Sequence, residues 1–179
     1  MPDFDTNSAD AEPSELIALV EQWASHFGYH TGTIDLERQD LSSFVAPDAT
    51  LMAHAPLWRT KAGEEKAIPA ADVRTQLARM LKWTRIGRHS MHMARHPDGQ
   101  SLCLWFVVKA RPVFLPVNIM RVPLAFVVRA SGRAGTRRIE EIHEWAAATP
   151  DDAVEILVRE HGWPPATTMN PHVAFGARS

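Results

Sequence analysis

Two runs constrain this chain more than anything else in it. "SLCLWFVVKA" at 101–110 and "NIMRVPLAFVVRA" at 118–130 are rich in β-branched and aromatic residues, and a third run, "RRIEEIHEWAA" at 137–147, follows the turn signal "SGRAGT". Such residues fit the pleated surface of a sheet, and runs this close together pair as hairpins. "HPDGQ" at 96–100 is a further turn signal. The segment before it, "RHSMHMARH" at 88–96, therefore reads as a strand paired with 101–110. The alternative is a helix that presents His89, His92 and His96 on one face, as metal ligands would be. On a strand, His89 falls with Met91 and Met93, while His92 and His96 fall on the other side. His92 and His96 would then stand about 13 Å apart, too far to hold one ion together. No metal site is expected.

The first half of the chain has a helical period. Leu16, Leu19, Val20, Trp23 and Phe27 recur at helical spacing between Pro13 and Gly28. A second helix is expected at 36–45, ended by Pro47 and Asp48, then a strand at 49–58. A third helix is expected to open at Pro69 and run to Trp83, with Val73, Leu77, Met80 and Leu81 on its apolar face. Pro150 and Asp151 mark the start of a closing helix and Gly162 its end. The expected fold class is α+β, with three N-terminal helices packed on a curved, mostly antiparallel sheet. Residues 1–12 read as a disordered leader, 13–162 as one domain, and 163–179 as a tail. Trp163, Met169 and Phe175 would anchor that tail, which could cover a pocket.

Composition removes several function classes. The 179 residues carry a formal net charge of -2, which gives no global pull toward nucleic acid or an anionic membrane. No apolar run approaches the roughly 20 residues of a membrane helix. Cys103 is the single cysteine, so no internal disulfide forms, and a cytoplasmic location is expected. There is no glycine-rich phosphate loop, and no cofactor is expected. The apolar residues at 102–108 and 118–128 would leave one sheet face exposed, which predicts a homodimer or homotrimer.

The order of elements resembles the nuclear transport factor 2-like (cystatin-like) superfamily, in its SnoaL-like and scytalone dehydratase-like branch. The resemblance covers about residues 13–160. It rests on "EQWASHF", "APDATLMAH", "GRH" and "RRIEEIHEW" in that order. It implies a cone whose sheet wraps an apolar pocket. It also implies a cofactor-independent lyase, dehydratase, isomerase or cyclase acting on a small aromatic or polyketide-like molecule. A dehydratase tyrosine falls at His54, a pocket histidine at His89, and further polar pocket positions near Arg111 and Arg121. The family's tyrosine–aspartate pair falls at Phe27 and Gly28, so those functional groups are missing.

His54 and His89 are accordingly the candidate proton carriers, since a neutral imidazole gives or takes a proton near neutrality. Arg111, in alternation with Cys103, Trp105, Val107 and Lys109, and Arg121 are candidates to stabilise developing negative charge. Trp23 and Trp105 are candidates to line the site of an aromatic substrate. Each has an ordinary structural reading: a core histidine, a strand-end surface arginine, a core tryptophan. Glu144 depends on a bulge. Ile139 and Ile142 both look core-facing, yet three residues cannot separate two positions on one face of a regular strand. A bulge near Glu140 would turn Glu144 inward; without it, His143 and Trp145 face inward. A non-catalytic binding module and an assembly protein of the same fold remain the alternatives.

Overall fold

In a computed structural model the chain is described at residues 15–20, 43–53, 66–69 and 84–172; for residues 51, 53, 66–69 and 84–89 the description is of the backbone. Residues 15–20 are helical (α1). The strands are β1 (Val45–Ala53), β2 (Lys66–Pro69), β3 (Thr84–Arg95), β4 (Ser101–Pro112), β5 (Met120–Ser131), β6 (Arg138–Ala146) and β7 (Asn170–Pro171), with the helix α2 (Pro150–Glu160) between the last two. They form one sheet in the order β2-β1-β6-β5-β4-β3-β7. Every neighbouring pair is antiparallel except β1 with β6, which is parallel. The segment 88–95 is strand, as its turn-flanked sequence requires. In the turn after it, the Asp98 carboxylate accepts the N–H groups of Gln100 and Ser101, and Gly99 takes φ +68°. Few residues but glycine adopt that φ without strain.

The sheet is covered on both faces. On one, Leu16 and Val20 of α1 pack with Leu102, Leu104, Phe106 and Val108 of β4, Phe126 and Val128 of β5, and Ile139 and Ile142 of β6. We call this the α1 face. On the other, Ala153 and Leu157 of α2 and the tail residue Trp163 pack with Cys103, Trp105, Val107, Ala125, Val127 and Trp145. This is the α2 face. Strand β4 lies inside the sheet, between β5 and β3, and its residues from Ser101 to Val108 are all buried.

Three expectations change. Val45, Pro47 and Asp48, read as the end of a helix, belong to β1. Val45 pairs with Ile139, the Ile139 N–H donates to the Phe44 carbonyl, and the register shifts between Val45 and Thr50. Such irregular stretches are where a strand tolerates proline. Pro69, read as a helix start, ends β2. It sits opposite Thr50 in the strand at the sheet edge, where its missing N–H costs no ladder bond. Finally, the apolar residues of β4 and β5 do not form an exposed face, because α2 and Trp163 cover them. That argument for a homo-oligomer falls away. Among the described residues the exposed large hydrophobics are instead Val113, Phe114, Val117 and Ile119, in the β4–β5 connection. The remainder of the second helix expectation (36–42) and of the third (70–83) lies outside the described residues.

Candidate active site

The candidate site centres on Glu144, whose direction is set by one extra residue in β6. Arg129 pairs with Glu141 and Ala130 with Ile139, so Glu140 has no counterpart in β5. This bulge lets Ile139 and Ile142 share the α1 face, and Glu144 follows Ile142 onto it. Glu144 lies opposite Phe126 on one side and Ala53 on the other. It is 2% exposed. His143 and Trp145 take the α2 face, opposite Val127 and Ala125. A carboxyl group removed from water is costly unless other groups engage it, and Glu144 does interact with further groups of the chain. An enclosed carboxyl in an apolar wall is equipped to hand a proton to a bound organic molecule, or take one from it, without competition from solvent.

The histidine candidates stand differently. His54 and Trp23 lie outside the described residues. His54 is the residue after Ala53, the register partner of Glu144. Thr50 and Met52, which share its alternation, sit opposite Glu141 and His143, on the α2 side of the register. His89 is described by its backbone. It pairs with Val107, a residue of the α2-face cluster, and the register then shifts before His92 pairs with Trp105. Ser90, inside that shift, has φ 54°. Simple alternation therefore does not carry from Met91, buried on the α1 face, back to His89.

Trp105, Arg111 and Arg121 do not join Glu144. Trp105 is buried on the α2 face, where its indole N–H donates to the Ala147 carbonyl at 2.9 Å. Arg111 follows the same alternation and donates to the carbonyl of Leu115 at 2.6 Å. Arg121 is exposed and directly opposite Lys109. The reason is the double burial of β4: both of its faces are apolar, so alternation alone could not say which one faces α1.

His92 meets the edge of Trp105, with ring centroids 5.4 Å apart, and His96 meets Trp163 at 5.0 Å. Among the described residues no three His, Cys, Asp or Glu side chains converge as metal ligands would. A second group of ionisable side chains lies on the α2 face and was not singled out from the sequence. His143 is 2.9 Å from the Glu141 carboxylate and edge-on to His161, which in turn stacks on Trp145. The i, i+2 spacing of Glu141 and His143 was the available signal. His161, at the end of α2, gave none.

Known structures share this fold. BvnE pinacolase from Penicillium brevicompactum superposes with a TM-score of 0.56 at 12% identity, over 89% of this chain and 99% of that one. A conserved protein from Planctomyces limnophilus gives 0.53 at 9% identity, over 77% and 98%. A protein of Xanthomonas campestris pv. campestris described as a candidate polyketide cyclase gives 0.51 at 17% identity, over 76% and 93%. The fold is the nuclear transport factor 2-like, SnoaL-like fold. At these identities the likeness is one of architecture. No family model matches the sequence, and no curated protein does. Any assignment of functional groups therefore rests on this chain's own residues.

Proposed function

We propose that the chain is a cofactor-independent lyase, isomerase or cyclase for a small aromatic or polyketide-like molecule, with Glu144 as its acid–base group. The observation that carries this reading is the enclosed carboxyl of Glu144 on the apolar α1 face. Dehydration, double-bond migration and ring closure conserve oxidation state. A proton acceptor and a proton donor beside an apolar binding surface are sufficient for them. The pinacolase and the candidate polyketide cyclase of the same fold fit this reaction class. His54 is not proposed as its partner, because the alternation of Thr50 and Met52 leads to the α2 side, away from Glu144. His89, paired with Val107 of the α2-face cluster, is not proposed for that role either.

The test is a mass-spectrometric screen of aromatic and polyketide-like hydroxyketones for isomeric or dehydrated products, followed by Glu144→Gln on any substrate found. A placed proton carrier typically contributes about 10²- to 10⁴-fold in rate. Glu144→Gln should cost about that much turnover while the thermal midpoint moves little. Ligands that raise the thermal midpoint without being turned over would replace the enzyme with a binding module. Turnover that survives Glu144→Gln would remove Glu144 from the mechanism.

A further inference from the structure

The net charge of -2 conceals a strong local asymmetry: residues 99–139 hold seven Lys and Arg and no Asp or Glu. The β4–β5 hairpin concentrates it at one end of the molecule. Strand β6 ends at Ala146, opposite Leu124, whereas β4 and β5 stay paired out to Ala110 and Met120. The hairpin thus overhangs β6 by about 13 Å of strand. Its connection carries Phe114 (76% exposed), Ile119 (65%) and Val117 (59%). Just below this tip, Lys109 and Arg121 are directly opposite each other. Like charges in that position are destabilising unless something anionic lies between them, and neither is paired with a carboxylate among the described residues. The two cations and the loop residues Pro116–Met120 line a cavity of about 510 Å³. Arg111 braces the loop through its bond to the Leu115 carbonyl.

We propose that this hairpin tip docks on an anionic phospholipid surface. Phe114, Val117 and Ile119 enter the boundary of the acyl layer, and Lys109 and Arg121 hold headgroup phosphates in the cavity beneath. A projecting apolar tip with a basic collar matches the chemistry of such an interface, apolar inside and negative at its rim. A second copy of the chain fits it less well. A two-fold contact through the same patch would bring Lys109 and Arg121 against their own counterparts. The docking is peripheral and needs no spanning helix. It is independent of the chemistry proposed for Glu144.

The experiment is co-sedimentation of the full chain with vesicles of phosphatidylcholine alone, or with about a third phosphatidylglycerol. Binding is expected to the anionic vesicles, weakened by salt and absent with phosphatidylcholine alone. Arg121→Glu should weaken partitioning at least about five-fold, since one basic residue near such a surface is worth about that factor. Phe114→Ser should weaken it as well, with the thermal midpoint unchanged for both. Three results would overturn the proposal: no binding to anionic vesicles at low salt, binding by both variants as strong as that of the parent chain, or binding of inorganic phosphate at Lys109 and Arg121 without vesicle binding. Concentration-dependent self-association that Phe114→Ser abolishes, with no vesicle binding, would assign the tip to a second copy instead.

Discussion

Cys103 and His172 show how burial sets the behaviour of single groups. Cys103 is fully buried between the apolar side chains of the α2 face, and burial alone pushes its thiol well above its ordinary range. It should be silent to a thiol reagent in the native protein and reactive after denaturation. A native protein that reacts at once would mean that this face opens readily. His172 is held below its ordinary value of 6.5, first by partial burial and second by the positive charge of Arg95. The unfolded chain therefore takes up this proton at a higher pH than the folded one. The stability associated with neutral His172 is present above about pH 6.5 and is lost as pH falls through the folded value. The effect should appear locally, because the His172 N–H donates to the Met91 carbonyl and holds β7 against β3. Amide exchange along that edge should rise on acidification. An NMR titration should place the His172 midpoint below 6.5, and Arg95→Gln should raise it part of the way only, since burial is the larger cause. A wild-type midpoint at or above 6.5 would refute this account.

Among the elements, α2 is the one whose formation the sequence states most fully. Thr149 caps it by accepting the Asp152 N–H, and the Asp152 carboxylate accepts the Thr149 N–H in return. Pro150 stands in the first turn, and Arg159 pairs with Glu155 one turn back. Loss of such a cap costs about 1 kcal/mol. Thr149→Ala should lower the unfolding free energy by about that much, and Leu157→Ala, which empties a fully buried site, by about 2–5 kcal/mol. Urea denaturation checks both, and a larger effect from the cap than from Leu157 would show that α2 does little to cover the sheet. The β5–β6 pair gives a sharper case. Deleting Glu140 would remove the extra residue and leave Ile139 and Ile142 two positions apart, on one face of a regular strand. That variant should keep a cooperative urea transition, and loss of the transition would mean that the bulge itself is required. The strands β3 to β6 were legible because turn chemistry brackets them and their residue types leave little choice. Strand β2 and the start of β1 were not. Pro69, Pro47 and Asp48 carry local helix-boundary signals, and only the pairing with β1 and β6 overrides them. The face of Glu144 was legible as a condition, through the spacing of Ile139 and Ile142. The faces of Trp105 and Arg111 were not, since a strand buried on both sides has no polar face to mark its outside.

At the scale of the molecule, one tryptophan from beyond the last helix completes the second apolar layer. Trp163 is 4% exposed, its backbone N–H donates to the Leu157 carbonyl in the last turn of α2, and its ring meets His96 just beyond β3. It thus ties the chain after α2 to the far side of the sheet. The layer beneath it holds Cys103, Trp105, Val107, Ala125, Val127 and Trp145. A sheet of this composition with no cover would expose a large apolar patch, which in soluble proteins becomes a contact with another chain. Here the cover is supplied from within. Trp163→Ala should therefore do two things at once. It should cost about 3–5 kcal/mol of stability, the usual consequence of emptying a buried tryptophan site. It should also convert an internal contact into an intermolecular one, so that the mass measured by light scattering rises with protein concentration more steeply than for the parent chain. A loss of stability with unchanged association would mean that α2 shields the layer unaided. Unchanged stability would mean that Trp163 rests on the sheet without contributing to its core.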